Sequence, residues 1–426
     1  MGRLTRLTAA VVVATAGARA LPVAAQSRAG DTLTVAAAVA RALEANPMLR
    51  AARLRADAAA QRSPQAGALP DPQLSFGLMN RLVGDFGDTG EPMTMNQVQL
   101  TQMLPWPGKL GYSAERARGL ASAASLDAAE AAVWLAARVR LVYYHLASVD
   151  RSLDIMEETR RLLRSFLDVS QTRYAVGAGL QQDVLQAQVA VARMTGDITV
   201  MEAERVALTS RLNALLDRPA ATPVGGLALP PPGDVPVPDL EALYAVALEH
   251  RPALRAAHAR VAAAEAGYRA ARRELYPDFM AGVAWGQRPQ FTDMATVMVG
   301  VSLPLWAGRK QLAMRREMQA EHAMADAEAQ ELANDTYAEL ARLRAAAERA
   351  DRLVDLYGTS VIPQARAAVE AALSAYRVGR VDYTTLVENE MTVNRYEIEL
   401  VRFTAEYHSA MAELDALTGA GPGGAR

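Results

Sequence analysis

Side chains with catalytic or metal-binding chemistry are sparse in this 426-residue sequence. There is no cysteine, and the five histidines do not show the His-x-x-x-His spacing that binds zinc on one helix face. The sequence also lacks a Gly-rich phosphate loop, a Gly-x-Ser-x-Gly nucleophile turn and a Cys/His pair. These residues predict that the protein is not an enzyme and that it has no cofactor and no resident metal ion.

Methionine is a further potential ligand, because its thioether suits soft ions such as Cu(I). Several methionines lie in or near four segments of alternating hydrophobicity, namely Met79, Met93, Met95, Met103, Met280, Met294 and Met298. Methionine is also an ordinary filler of irregular gaps. Packing is therefore the favoured interpretation of this cluster, and a soft-metal site is the minor alternative.

The elements that carry these residues occur twice. The segment 42–52 returns as 247–257, about 205 residues later, which is far longer than a solenoid repeat. Leu-Pro-Trp-Pro-Gly-Lys at 104–109 is echoed by Leu-Pro-Leu-Trp-Ala-Gly-Arg at 303–309, and Tyr-x-x-Gly occurs at 174–177 and 376–379. We expect two similar repeats, at about 26–218 and 239–419, with a Pro/Gly-rich connector at 219–238 and a flexible tail at 420–426.

Composition narrows the class of protein. Hydrophobic residues make up 51% of the chain but aromatic residues only 5%. The hydrophobic fraction is rich in alanine, which favours long helices. A formal net charge of −2 argues against binding to nucleic acid. Arg3 and Arg6, followed by an apolar stretch and small residues, predict a signal peptide over 1–25, with cleavage at Ala20 as an alternative. Beyond it, no segment approaches the roughly 20 uninterrupted apolar residues of a membrane-spanning helix.

Within each repeat, the spacing of hydrophobic residues changes from segment to segment. A period of two predicts strands at about 72–83 and 95–104, and at about 278–287 and 296–304. These strands form hairpins, and each is near the roughly 9 to 11 residues that a tilted strand needs to cross a bilayer. Three-four spacing predicts long coiled-coil helices at about 109–175 and 309–376, with return helices at about 180–217 and 382–418. Pro363 should bend the second long helix.

Four strands cannot close a transmembrane barrel, because known barrels begin at about eight strands. If the strands enter a membrane, the chain must therefore oligomerise. Two copies would give a barrel filled by its own side chains, whereas three would give about twelve strands around a water-filled lumen. The long helices favour three copies, because six helical hairpins can enclose a hollow cylinder continuous with the barrel.

With these motifs in this order, repeated twice, the chain resembles the TolC-like outer-membrane efflux family over nearly all of its mature length. The Asn46-Pro47 and Arg251-Pro252 helix starts, the paired strands, the strand exits and the Tyr-x-x-Gly turns carry the resemblance. It implies a mainly α fold with a transmembrane β-hairpin in each half. It further implies a homotrimer whose twelve-stranded β-barrel lies in the outer membrane of a Gram-negative bacterium and continues into a periplasmic α-helical coiled-coil tunnel.

The same resemblance implies partners and cargo. The trimer would dock onto a periplasmic adaptor (membrane fusion protein) and an inner-membrane RND-type pump, which supplies the energy, while the channel is a passive exit duct. Trp-Pro-Gly-Lys at 106–109 looks most like the branch that serves heavy-metal efflux of the copper/silver and cobalt/zinc/cadmium kind. That branch often carries a lipid-bearing cysteine, so here the barrel alone would anchor the protein. Export of drugs, other organic solutes or proteins through the same channel remains an alternative.

The resemblance also suggests roles for turn residues. These residues would form the periplasmic tip, where the adaptor docks and the channel opens: Tyr174, Gly177, Gly179, Tyr376, Gly379 and Arg380. An ordinary helix C-cap is the alternative interpretation.

Two acids and two tryptophans complete the candidate sites. Asp183 and Glu388 would ring the tunnel entrance, where three copies of each carboxylate attract cations. The alternative is a solvated acid favoured by the helix dipole. Trp106 and Trp306 would lie at the periplasmic edge of the bilayer, unless they pack in a core.

A rival from another class is a periplasmic structural coiled-coil or adaptor protein. Such a protein would also be exported, alanine-rich and heptad-bearing. It would have no need for four amphipathic strands, so the strands favour the channel.

Overall fold

The two repeats fold into two halves of similar architecture. The computed structural model describes residues 33–84, 86–233 and 237–419, so the expected signal peptide and the C-terminal tail lie outside the described residues. The elements of the first half are α1 (Val35–Ala45), α2 (Pro47–Ala60), α3 (Arg62–Gly67), β1 (Gln73–Met79), β2 (Met95–Leu104), α4 (Lys109–Ala175) and α5 (Gln181–Leu215). Those of the second half are α6 (Leu240–His250), α7 (Pro252–Arg273), β3 (Asp278–Gln287), β4 (Met294–Ser302), α8 (Gln311–Leu356), a π-helical turn (Tyr357–Val361), α9 (Ile362–Arg377) and α10 (Tyr383–Leu417).

Two strand ends differ from the sequence-based expectation. Strand β1 stops at Met79 rather than near 83, because Asn80 adopts a left-handed backbone with φ of 52°. The Asn80 side chain donates a hydrogen bond to the Met93 carbonyl at 3.0 Å, which closes the hairpin. Strand β4 ends at Ser302, two residues before Pro304, because proline has no N–H to donate to a strand ladder.

The second long helix is interrupted, whereas its counterpart α4 is continuous over 67 residues. Pro363 has no backbone N–H, and its ring would clash with the carbonyl of Thr359 in an α-helix. The π-helical turn Tyr357–Val361 accommodates this defect immediately before α9. The expected disruption at Pro363 thus takes the form of a π turn.

The strands form one four-stranded antiparallel sheet in the order β1-β2-β3-β4. Pairing of β2 with β3, with Leu100 opposite Val283, joins the hairpins of the two halves. One face of the sheet carries exposed apolar side chains, including Leu74, Phe76 and Val297. The other face carries most of the polar side chains of the strands, including Gln97, Gln99 and Thr101. Within the described chain, the outer edges of β1 and β4 have no strand partner.

Clusters of buried apolar residues hold the helices together, and three of them are large. One cluster packs α1, α2, α4 and α5 around Leu146 and Leu212, and its counterpart packs α6, α8 and α10 around Leu340 and Leu414. A third cluster, which contains the fully buried Leu163, joins α4 and α5 to α9 and α10. Burying each such leucine contributes about 1.5–3 kcal/mol. The turn ends of the two helical hairpins are therefore one packed unit.

Helix α4 contains one window with a mean hydropathy of 1.2, apolar and long enough by composition to cross a membrane. Its buried residues Val139, Val142, Leu146 and Val149 pack in the first cluster. Core helices of soluble proteins pass the same compositional test, so we interpret α4 as a packed coiled-coil helix.

The N-terminus of the second helix is capped by different residues in the two repeats. Asn46 caps α2 by accepting hydrogen bonds from the Met48 and Leu49 amides at 2.9 and 3.4 Å. In the second half Arg251 stands at this position and forms a buried ion pair with Glu130 of α4 at 3.2 Å. Glu130 also accepts a hydrogen bond from the Ala253 amide at 3.2 Å, so a carboxylate from the first half caps α7.

Candidate functional site

Two helix turns at one end of the molecule share the same backbone geometry. Gly177 and Gly379 have φ of 72° and 73°, the left-handed region that favours glycine. The Gly177 amide donates to the Tyr174 carbonyl at 3.0 Å, and the Ala178 amide donates to the Arg173 carbonyl at 2.8 Å. The Gly379 and Arg380 amides make the same two bonds in the second half, at 3.0 and 2.9 Å. Both turns are Schellman motifs, and we call residues 173–186 and 375–391 together the tip.

Arg173 connects the two turns of the tip. Its guanidinium donates one hydrogen bond to the Tyr376 carbonyl at the end of α9 and another to the Ala178 carbonyl in its own turn, the latter at 3.0 Å. The guanidinium carbon also lies 4.7 Å from the centre of the Tyr376 ring, which is a cation–π contact. A single cation therefore satisfies carbonyls at the C-terminal ends of both long helices, where the helix dipole favours positive charge.

Tyr376 makes a second link between the halves, through Asp183. The Tyr376 side chain is 3% exposed, and its hydroxyl donates a hydrogen bond to Asp183 Oδ2 at 3.3 Å. Tyr376 also packs edge to face against Tyr383, with ring centres 5.6 Å apart. Thr384 extends the contact by donating to Gln186 Oε1 at 2.9 Å. The tip is thus fastened by polar bonds that cross from one repeat to the other.

Two phenols of the tip, Tyr376 and Tyr383, have raised pKa values and stay protonated at physiological pH. Burial, with the nearby Asp183 carboxylate, raises the pKa of Tyr376 to about 12. Burial and the neighbouring Tyr376 also raise the pKa of Tyr383 well above its ordinary value. The Tyr383 hydroxyl is buried and has no hydrogen-bond partner among the residues that the structure describes. The Tyr376 hydroxyl therefore remains a hydrogen-bond donor to Asp183 at physiological pH.

Glu388 occupies a different environment from Asp183. It is exposed and lines a groove of about 380 Å³ between α5 and α10. The groove walls are mainly apolar and include Leu185, Val189, Val387 and Met391. Leu185 and Val189 are more than half exposed, at 54% and 66%. This groove is an apolar surface with an acid on its rim.

Glu390, two residues further along α10, is the unusual titratable group of this region. It is only 4% exposed, on the helix face that also carries Asn394, whose amide donates to Thr159 of α4 at 2.9 Å. Burial raises the pKa of Glu390 to about 7, the nearby Glu397 carboxylate adds to the rise, and the Arg366 guanidinium opposes it. This carboxyl group of α10 therefore has a pKa raised close to neutral pH.

The two tryptophans at the strand exits lie in different surroundings. Trp106 stacks on Tyr276 and Phe279, with ring centres 5.0 and 5.7 Å away, so it packs against the second half. Trp306 is 78% exposed in a turn after β4. Of the two, Trp306 has the exposure that an interfacial aromatic residue needs, and Trp106 combines partial exposure with packing.

A buried lysine fastens the junction between strands and helices. Lys109, the first residue of α4, is 7% exposed and its ammonium group lies 2.8 Å from Asp278 and 3.2 Å from Glu274. The Asp278 carboxylate also accepts the Trp106 amide at 2.8 Å. These bonds hold the exit of β2 against the entry of β3.

The structure brings some of the predicted residues together and separates others. Within the tip, Asp183 and Tyr376 are in contact with each other, whereas Glu388 lies apart from them on the rim of the groove. Sequence reasoning missed Arg173, Tyr383 and Glu390. A signal for Arg173 was present, because the aligned position of the second repeat is Ala375 and only one copy carries the cation. Among residues 33–84, 86–233 and 237–419, no group of three or more His, Cys, Asp or Glu side chains could hold a metal ion.

Comparisons with known proteins agree with the duplicated architecture. A family model described as "Outer membrane efflux protein" matches residues 38–216 and 243–420. No curated protein matches the sequence. The fold is similar to the outer membrane protein VceC from Vibrio cholerae, with a TM-score of 0.78 and 18% identity over 91% of this chain and 96% of that chain.

Two further solved structures have the same fold. CusC, whose structures concern transmembrane channel formation, gives a TM-score of 0.77 at 17% identity over 91% of this chain and 92% of that chain. The MtrE outer membrane channel of Neisseria gonorrhoeae, in an open state, gives 0.72 at 18% identity over 91% and 89%. At these identities the likeness concerns the fold alone.

Proposed function

The chain belongs to the outer membrane efflux protein family, and from this premise we propose that it is an outer-membrane channel, the passive exit duct of a tripartite efflux system. Members of this family are channels rather than enzymes, which supports the expectation of a non-enzymatic protein. The location would be the outer membrane of a Gram-negative bacterium, with the helices in the periplasm.

The observation that carries the proposal is the four-stranded sheet. Its apolar face is open, with Leu74, Phe76, Val297 and Val299 exposed at 72%, 68%, 79% and 78%. Its two edges also lack partners within the described chain. Such a sheet leaves apolar side chains and backbone hydrogen-bonding groups unsatisfied in water. A closed barrel in a lipid bilayer covers both, because lipid contacts the apolar face and neighbouring copies pair the edges.

Three copies suit this geometry better than two. A barrel of about twelve strands leaves a lumen for water, whereas one of about eight is filled by its own side chains. The edge strand β1 of one copy would pair with β4 of the next, which repeats the antiparallel order around the ring. The helical hairpins α4–α5 and α8–α10 would then surround a periplasmic tunnel.

The tip is the proposed contact with the periplasmic adaptor and, through it, with an inner-membrane RND-type pump. The side chains at the outer ends of both turns support this assignment, because Tyr174, Val176, Leu180 and Val378 are exposed at 49–73%. Exposed apolar side chains gathered at one end of a long rod favour association with another protein.

Heavy-metal cations are the proposed cargo. The Trp106-Pro107-Gly108-Lys109 motif supports this choice through its resemblance to the heavy-metal branch. The fold comparison gives no information on cargo, because at 17% and 18% identity it concerns the fold alone. Resistance assays in a host with the cognate pump and adaptor would decide between metal salts and organic drugs.

The first experiment combines planar-bilayer conductance of the purified protein with its mass in detergent. We expect a trimer with a cation-preferring current. A soluble, non-conducting species would overturn the channel and favour the periplasmic coiled-coil alternative.

Asp183→Asn combined with Glu388→Gln tests the proposed ring of carboxylates at the tunnel entrance. The double substitution should weaken block of the current by multivalent cations, and an unaltered block would refute the acidic ring.

Gly379→Val tests the role of the tip. Valine is strained at φ of 73°, so the substitution should distort the turn, although the added Cβ itself would stand at an ordinary contact distance of 3.6 Å from Arg173 Nη2. We expect efflux to be lost while trimers still form. Gly196→Ala, where an added Cβ meets nothing within 4 Å, is the matched control. Normal efflux by Gly379→Val would refute adaptor docking at the tip.

A further inference from the structure

Every methionine of the four strands lies on the same face of the sheet. The strand registers place Met79 opposite Met95 and Met103 opposite Met280. They also place Met298 opposite Gly282 and Met294 opposite Gly286. Because side chains alternate between faces along a strand, all six methionines share the face that carries Gln97, Gln99 and Thr101. In the proposed barrel this polar face is the one that lines the water-filled lumen.

The two faces use different large apolar residues. On the opposite face of the described strands, these residues are leucine, valine, phenylalanine and tryptophan, and none is methionine. On the polar face, the large apolar residues are all methionine. If methionine served only as a gap filler, it would be expected on both faces. The segregation indicates that the thioether itself is required on the polar face.

Four of the methionines form two directly opposed pairs. Met79 lies opposite Met95 near the loop end of the sheet, and Met103 lies opposite Met280 near the helix end. Directly opposite residues of an antiparallel pair have Cβ atoms about 4.5–5.5 Å apart, so the two flexible side chains of a pair can bring both sulfurs to one ion. The pairs stand about 26 Å apart along β2, since each strand residue advances about 3.3 Å.

Glycines on neighbouring strands make room for these side chains. An added Cβ on Gly286 would lie 2.5 Å from Met95 Sδ, and an added Cβ on Gly300 would lie 3.0 Å from Met280 Cε. A Cβ on Gly282 would likewise lie 3.3 Å from the Met298 methyl group. Met95 of β2 therefore leans over β3 and Met280 of β3 leans over β4, each away from its paired methionine. Both flexible side chains must rotate for the two sulfurs of a pair to meet at one ion.

We propose that the methionine pairs Met79–Met95 and Met103–Met280 bind soft monovalent metal ions, Cu(I) or Ag(I), in passage through the barrel. The proposal rests on the proposed function, because the pairs line a lumen only if the strands form a barrel. Neutral thioethers select soft ions over Mg²⁺, Ca²⁺ or Zn²⁺, which prefer oxygen or nitrogen ligands or thiolate. The carboxylate on this face, Asp278, is already held by Lys109 at 2.8 Å. Pairs without a charged ligand suit an ion that must leave again.

Silver ion is the probe, because Ag(I) is soft and does not change oxidation state in air. Purified full-length protein is titrated with silver nitrate in chloride-free buffer, and bound metal is measured after ultrafiltration. We expect about two Ag(I) ions per protomer, one per methionine pair, and little Zn(II). Met79→Leu/Met95→Leu should remove one ion, and adding Met103→Leu/Met280→Leu should remove the other. The control Met48→Leu/Met324→Leu changes two exposed helix methionines, at 47% and 55%, and should bind as the wild type does.

A second measurement avoids dependence on variants that fail to assemble. In the wild-type protein, Ag(I) should slow peroxide oxidation of the four paired methionines at least several-fold and leave Met324 unchanged, as followed by mass spectrometry of peptides. Ag(I) binding that persists in the four-fold variant, or equal protection of Met324, would refute the metal pairs. Conductance separates this result from the proposed function: a conducting trimer that binds no Ag(I) refutes only the pairs, and a non-conducting protein refutes the channel whatever it binds.

Discussion

Glu390→Gln should abolish a pH dependence of the local stability of α10. The Glu390 carboxyl group is 4% exposed in α10, and burial raises its pKa to about 7 from an ordinary value of 4.5. The charged groups that face it are Glu397, Glu158 and Arg366, of which only the arginine favours ionisation. Arg366 is already engaged by Glu397, to which its Nε donates at 2.9 Å. Little compensating charge is left for an ionised Glu390.

The sign and size of the effect follow from proton linkage. Between pH 4.5 and 7 the folded state holds a proton on Glu390 that the unfolded state releases. The stabilisation is complete below pH 4.5 and is lost as the pH rises through 7. A difference of one pKa unit corresponds to about 1.4 kcal/mol, so the folded state should lose about 2.5 kcal/mol of stability between pH 5 and pH 8. Glutamine is uncharged and cannot contribute this loss.

Hydrogen–deuterium exchange of the trimer in detergent measures the effect locally. After correction for intrinsic rates, exchange in wild-type peptides centred on Glu390 should rise by about 70-fold from pH 5 to pH 8, the equivalent of about 2.5 kcal/mol. Glu390→Gln should exchange at one corrected rate across this range. Glu388→Gln, which changes an exposed acid of the same helix, should behave as the wild type does. Equal pH dependence in wild type and Glu390→Gln would refute the reasoning.

Two substitutions test other structural assignments. Glu130→Ala leaves the Arg251 guanidinium buried without its carboxylate, so we expect the free energy of unfolding to fall by about 3 kcal/mol in denaturant titrations. Asp127→Ala, which breaks the exposed pair with Arg260, should cost less than about 1 kcal/mol, and equal losses would contradict the difference in burial. Gly177→Ala should lower the melting temperature, because alanine at φ of 72° costs about 1 kcal/mol, and an unchanged temperature would count against the left-handed turn.

The elements that follow from local patterning were predictable from the sequence. Alternation in the segment around Val98 predicts a strand with one apolar face, and the register confirms the hairpins. Glycine in Tyr-x-x-Gly predicts both helix ends, since the left-handed turn is a property of a few adjacent residues. The end of β1 was not predictable, because it depends on the Asn80 side chain reaching Met93 across the hairpin.

Candidate site residues were harder to find, because their properties arise from long-range contacts. Asp183 was chosen as an acid near a turn, but its bond to Tyr376 joins residues 193 positions apart. Glu390 gave no signal, since the shift of its pKa depends on burial against other helices rather than on its neighbours in the chain. The methionine pairs are intermediate: the sequence shows the cluster, and only the strand register shows that its members share one face and meet in pairs.

Differences between the two repeats carry more information than their similarity. Two identical repeats would satisfy each turn and each cap separately, and only the β2–β3 ladder and apolar packing would join the halves. Instead, Arg173 stands where the second repeat has Ala375, and it bonds to the Tyr376 carbonyl in the opposite turn. Arg251 stands where the first repeat has Asn46, and it pairs with Glu130 of the opposite half. At both positions one copy carries an arginine that bonds to the opposite half, where the other copy has a neutral residue. Aligning the repeats of such a chain and noting where a neutral residue faces a charged one should therefore identify the contacts that couple its halves.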